Sequence, residues 1–134
     1  MTYEGFRPEI TPLHAPFWEG LRSHRLLLQC CDGCGRFRFI PGDLCPGCHS
    51  SAATWTPVSG RGNVYTYTVV HRAPTPAYQA DAPYVIVHVQ LEEGPRMSST
   101  LVGVAPDQVR IGAPVEVVFD DVDPELTLAR FRPA

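Results

Sequence analysis

Cys31-Asp32-Gly33-Cys34 and, after ten intervening residues, Cys45-Pro46-Gly47-Cys48 are the stretches whose reading decides the fold. A two-residue gap lets a tight turn aim both sulfurs at one point, and glycine or proline supplies the backbone angles that turn requires. Gly33, Gly35, Pro46 and Gly47 stand where two such turns need them. Two facing turns form a tetrahedral thiolate cage, which suits zinc at about 2.3 Å from each sulfur. A thioredoxin-like redox pair would need a single C-x-x-C in a βαβ setting, and neither pair has one. Two disulfides do not suit a reducing compartment. Iron fits the same four thiolates, and the knuckles resemble those of rubredoxin, but rubredoxin-type proteins carry a much longer insert between them, so zinc is favoured. The expectation is one structural zinc per chain, held by Cys31, Cys34, Cys45 and Cys48. A closed four-ligand site leaves no position for substrate.

Five cysteines leave Cys30 over. Successive side chains of a strand point to opposite faces, so Cys30 is expected to act as a small hydrophobe at a strand end while Cys31 faces the metal. His49, directly after the last cysteine, is the alternative ligand that the spacing leaves open.

Outward from the ribbon, the 134 residues suffice for one domain or for two very small ones sharing a core. All 11 basic residues are arginine, against 14 acidic ones, for a net charge of -3. The absence of lysine excludes Schiff-base and P-loop chemistry. The negative balance suits poorly a protein that must neutralise many phosphates. Fourteen prolines and 11 glycines point to turns and short strands. No secretory signal or membrane-spanning run is evident, so a cytoplasmic protein is expected.

Before the ribbon, a proline-punctuated extended arm leads to Leu13–His24, where Leu13, Phe17 and Leu21 recur at helical spacing. So short a helix must dock, either on its own domain or on another subunit. Arg25–Gln29 and Arg36–Ile40 read as ribbon strands, and Thr54–Pro57 as the return. Beyond Gly60-Arg61-Gly62, strands are expected over Asn63–Val70, Pro83–Leu91, Arg96–Val104, Val115–Phe119 and Leu126–Phe131, with a helical turn at Asp107–Arg110. Residues 120–125 read as a solvated acidic loop. The fold class is therefore mainly β: an N-terminal arm and helix (1–25), a rubredoxin-like zinc ribbon (26–56) and a five-stranded OB-type barrel (57–134).

In this order, the helix Pro16-Phe17-Trp18-Glu19-Gly20-Leu21, the ribbon, Gly60-Arg61-Gly62 leading into Val64–Val70, Pro83-Tyr84-Val85 and the tail Phe131-Arg132-Pro133 resemble the zinc-ribbon/OB-fold family of acyl-CoA-associated proteins. The resemblance runs from about Thr11 onward. It implies a noncatalytic accessory subunit, without a catalytic residue of its own, that docks on a thiolase-like, aldolase or hydratase enzyme and helps form or relay its acyl-CoA site. It further implies a hetero-oligomer such as two plus two, and steroid side-chain or aromatic acid degradation as a setting. Docking through Phe17, Trp18 and Leu21 is expected. Arg61, Arg72 and Arg96, at turns or strand ends, can fork a CoA phosphate, and Tyr78 and Tyr84 flank a proline-rich loop that can line a pantetheine path. Each of these five residues reads equally as surface or packing. His49 departs from the family pattern, which often has glycine there. The competing class is a single-stranded nucleic-acid binder, with Tyr65 and Tyr67 as a stacking platform beside Arg61 and Arg72; the net charge argues against it.

Overall fold

Helix α1 spans Ala15–Arg22 in the computed structural model, which describes residues 3–134. Pro16 sits in its first turn, where a missing N–H costs nothing. Phe17 and Leu21, four residues apart, put their side chains into the core. The helix is shorter than Leu13–His24 because it ends in a Schellman motif. His24 N–H donates to the Leu21 carbonyl and Arg25 N–H to that of Gly20, both at 2.9 Å. His24 therefore takes the left-handed position, with φ +57°. Its ring stacks on Phe119 at 5.1 Å, and its Nε2 meets Asp121 at 2.8 Å.

The ribbon strands are β1 (Leu27–Cys31), β2 (Phe37–Arg38) and β3 (Ala53–Pro57), antiparallel in the order β2-β1-β3. The first starts two residues later than the expected Arg25, which the helix cap uses, and runs into the knuckle, pairing Cys31 with Ala53. The second is shorter than the alternation of Arg36–Ile40 predicts. After it the chain is held by side chains instead of a ladder. Buried Arg38 donates through Nε to Gln29 Oε1 and through Nη2 to the Gly42 carbonyl, both at 3.0 Å, and Gly42 N–H donates to Gln29 Oε1 at 2.8 Å.

Five strands close the barrel: β4 (Arg61–Val70), β5 (Tyr84–Leu91), β6 (Arg96–Leu101), β7 (Pro114–Asp123) and β8 (Leu126–Pro133). Their order, β4-β5-β6-β8-β7 with β4 returning to β7, is that of an OB-type barrel. The parallel contact is Leu101 with Phe131, between β6 and β8. Val85, Val87, Val89 and Leu91 of β5 all face inward, as the alternation requires. Gly62 pairs with Leu91 on one side and Val115 on the other. A Cβ there would overlap the Gln90 carbonyl, so closure at this point needs glycine. A short helix α2 (Pro76–Gln79) lies in the β4–β5 connection, and a 3-10 turn at Pro106–Gln108 replaces the helical turn expected at Asp107–Arg110. Among the described residues no helix is long and apolar enough to cross a membrane.

The acidic stretch is a correction. β7 continues through Asp123 because its ladder with β8 runs on to the pair Asp123–Leu126. Each aspartate there has a partner: Asp120 with Arg130 at 2.7 Å, Asp121 with His24, and Asp123 with Arg7 of the arm at 2.6 Å. Thr127 holds the Asp121 carboxyl below its ordinary range, helped by His24. Arg7 does the same for Asp123.

One apolar core joins these parts. Phe17 and Leu21 of the helix and Leu26 and Leu28 of the ribbon sit in the same cluster as Val87, Val89 and Phe131 of the barrel. It crosses the expected boundaries near residues 25 and 56. Leu21→Ala, at a position 0% exposed, is expected to cost about 2–5 kcal/mol in urea unfolding of the zinc-loaded protein. Ile111→Ala, at a position 69% exposed, should change stability by less than about 0.5 kcal/mol. Acid supplies a second test. Depressed carboxyls stabilise the fold fully above their unfolded pKa of about 3.9 and lose that contribution as pH falls through their lower folded values. Amide exchange in the arm and at the end of α1, corrected for its intrinsic pH dependence, should therefore rise below about pH 4.

Candidate metal centre and surface clefts

The two knuckles have the same backbone bonding. Gly35 N–H donates to the Cys31 carbonyl at 2.8 Å and His49 N–H to that of Cys45 at 2.9 Å. Cys31 and Cys45 N–H donate in turn to the Arg36 and Ser50 carbonyls. Gly35 and His49 occupy the same left-handed position, at φ +77° and +63°. The turn thus survives the histidine, at the backbone cost a side chain bears in that region.

The sulfurs of Cys31, Cys34, Cys45 and Cys48 all lie within 4.8 Å of one another. Cys31 and Cys48 are 3.5 Å apart and Cys34 and Cys45 3.6 Å. A zinc tetrahedron with 2.3 Å bonds has edges of about 3.8 Å, so the four fit one zinc ion. Backbone N–H groups of Cys48 and Gly47 lower the Cys45 thiol to about 6, and that of Cys34 lowers Cys31. At Cys48 the Ser50 N–H lowers the pKa but is outweighed by the sulfurs of Cys31, Cys34 and Cys45, which push it up to about 11. Four sulfurs this close resist sharing the site as thiolates without a cation. Cys31 and Cys45 are buried, and Cys34 and Cys48 exposed. Cys30 points the other way, its sulfur 3.5 Å from the Gly35 carbonyl, and His49 is not in the cluster.

Two clefts open elsewhere. The first, about 470 Å³, lies between α1, the loop after β2 and the outer faces of β5 and β6. The second, about 1160 Å³, lies under the arm, between α2 and the same two strands. Tyr78 and Tyr84 line the second together, and Phe6 N–H donates to the Tyr78 hydroxyl at 2.8 Å. Arg96 lines the first. Arg61 and Arg72 line neither, and Arg61 pairs with Glu92 across 3.4 Å at an exposed turn. The five expected contacts are thus not brought to one place. Phe17 and Leu21 are buried in the chain's own core, while Trp18 is half-buried and lines the first cleft. At the stacking platform expected for a nucleic-acid binder, the Tyr65 face is taken by the Arg96 guanidinium, 3.8 Å from its ring centre, and Tyr67 packs on the core.

Sequence reasoning missed Phe39, Ile40, His88 and Ser98, which join Arg96 and Trp18 in the first cleft. The alternation of β5 puts His88 on the outer face. Its partner Ser98 emerges only from the strand register.

Comparison with known proteins agrees with this architecture. The rubredoxin-like zinc ribbon domain of ChsH2 matches residues 18–53, and the C-terminal OB-fold domain of ChsH2 matches residues 55–120. A probable enoyl-CoA hydratase alpha subunit of Thermomonospora curvata is 43% identical over 96% of this chain. A 3-oxo-4,17-pregnadiene-20-carboxyl-CoA hydratase alpha subunit of Mycobacterium tuberculosis is 34% identical over 95%. The chain spans 40% of the length of each. A DUF35 domain-containing scaffold protein of Methanocaldococcus jannaschii is 38% identical over 76% of this chain and 73% of its own. Among solved structures, a chain of the Ltp2-ChsH2(DUF35) aldolase superposes with a TM-score of 0.86 at 42% identity, over 95% of this chain and 98% of that one. The chain belongs to the ChsH2 (DUF35) family of zinc-ribbon/OB-fold proteins.

Cys31→Ser or Cys45→Ser is expected to give insoluble protein, and the wild type about one zinc per chain by elemental analysis. A well-folded, metal-free Cys31→Ser protein would contradict the structural role. His49→Gly should raise the thermal stability of the zinc-loaded protein by about 1 kcal/mol, because glycine adopts that φ without strain.

Proposed function

From membership in this family we propose that the chain is a noncatalytic accessory subunit. It docks on a thiolase-like, aldolase or hydratase enzyme and helps form the acyl-CoA site there. The observation that carries this reading is the superposition, over nearly the whole chain, on one chain of an aldolase assembly. The scaffold protein of similar length supports a supporting role over a catalytic one. The metal site adds physical support, since four thiolates close the coordination sphere and leave no position to activate water or polarise a carbonyl.

The steroid acyl-CoA in the name of the mycobacterial hydratase subunit supports steroid side-chain degradation as the setting. Docking falls to Trp18 and its surroundings, because Phe17 and Leu21 are taken by the chain's own core. Tyr78 and Tyr84, in the larger cleft, are the candidate pantetheine contacts. Arg61, Arg72 and Arg96 are the candidate phosphate forks, each at the surface. The partner supplies the catalytic groups, and two copies of each chain assemble. The cytoplasm is the compartment in which such a thiolate site stays reduced.

Co-expression with the candidate partner enzyme, native mass spectrometry and a retro-aldol, thiolysis or hydration assay test the proposal. A stable two-plus-two complex, with activity that falls when this chain is omitted, is the expected result. Full activity of the partner alone, with no complex formed, would sink it.

A further inference from the structure

The first cleft has two unlike walls. One is apolar: Phe17, Trp18, Phe39, Ile40 and Pro41. Its Ile40 is 67% exposed, which leaves an aliphatic surface open to the cleft. The other wall carries His88, Ser98 and Arg96, and His14 stands at the helix end. Although the chain has 14 acidic residues and a net charge of -3, no carboxylate among the described residues lines this cleft.

The polar groups are positioned in advance. His88 Nδ1 lies 2.7 Å from Ser98 Oγ, and His14 Nδ1 lies 2.8 Å from Thr11 Oγ1. Each imidazole thus has one nitrogen engaged by a hydroxyl, and among the described residues the other meets no protein partner. Arg96 is held twice: its Nε donates to Gln90 Oε1 at 2.9 Å, and its guanidinium stacks over Tyr65 at 3.8 Å. Among the described residues its two terminal nitrogens meet no protein acceptor. A planar fork held in this way loses little freedom when it takes a carboxylate in two parallel hydrogen bonds. The volume, about 470 Å³, lies within the range of small-molecule sites.

We infer that this cleft binds a small free carboxylic acid with a compact hydrocarbon body, the carboxylate on Arg96 and His88 and the body against Trp18, Phe39 and Ile40. The inference concerns the free chain and does not rest on the accessory-subunit reading, although Trp18, the docking residue of that reading, is here a ligand contact. An arginine fork takes a phosphate as readily as a carboxylate, but the apolar wall beside Arg96 suits a hydrocarbon body at short reach. Arg96 used in this way leaves Arg61 and Arg72 for the CoA phosphates of the proposed complex. An arginine beside hydroxyl and imidazole groups, with no opposing acid among the described lining residues, favours an anion. The aromatic and aliphatic wall favours a body too apolar for water.

The probe is 4-cyclohexylbutanoate, titrated into the zinc-loaded chain by calorimetry, with 4-cyclohexylbutanamide as its uncharged counterpart. In Trp55→Phe the one remaining indole is that of Trp18, so its emission reports on the cleft. We expect a Kd below about 1 mM and a change in Trp18 emission. The amide should bind about tenfold more weakly, as should the acid to Arg96→Gln. Ile40→Glu, a change at an exposed position, should weaken the acid more than the amide, because it adds a like charge to the rim. Absence of binding at 10 mM acid overturns the inference, as does equal binding of acid and amide. Displacement of the acid by coenzyme A, with tighter binding that also depends on Arg96, overturns it too and assigns the cleft to a CoA phosphate.

Discussion

Four sulfurs within one small volume are the constraint on which the rest of this chain depends. Thiolates so close repel, and backbone N–H groups relieve that repulsion at Cys45 and Cys31 while Cys48 remains hard to ionise. A divalent cation resolves the conflict for all four. Its binding energy, on the order of 10 kcal/mol in isolated zinc fingers, becomes folding energy for a segment with too few apolar residues to fold alone. The three short strands around the knuckles are then fixed in one arrangement, which presents Leu26 and Leu28 to the barrel. Metal and core therefore reinforce each other across β1: one end of that strand is held by sulfur and the other by hydrocarbon.

The same economy explains the helix. Eight residues cannot sustain a helix in water. Burial of Phe17 and Leu21, together with a Schellman turn at the far end, supplies what length does not. His24 takes a backbone position that glycine usually fills, and its stack on Phe119 and contact with Asp121 offset the strain. Aspartates that look like a loop in isolation thus serve as anchor points for the helix and the arm.

What was legible in the sequence was local. The spacing of the four cysteines named the metal site, and the period-two pattern of Tyr84–Leu91 named an inward face that the barrel reproduces residue by residue. What was not legible depended on pairing between distant segments. Asp120–Asp123 became strand because β8 extends alongside it. Arg38 went inside because Gln29, on another strand, offers it an acceptor. His88 met Ser98 only through the β5–β6 register. Trp18 was identified from the sequence as a surface contact, but the loop facing it was not, since two-residue β2 gives no pattern from which to place Phe39 and Ile40.

That loop has a consequence for how the parts communicate. Phe39, Ile40 and Pro41 form one wall of the smaller cleft, and Gly42, next in the chain, is tied to Gln29 directly and through Arg38. Gln29 lies two residues before Cys31 on the same strand. The wall is thus mechanically in series with the metal knuckle, like a stay fastened to a mast. A closed four-sulfur cage is thereby linked, through three hydrogen bonds around Arg38 and Gln29, to a surface well outside its coordination sphere.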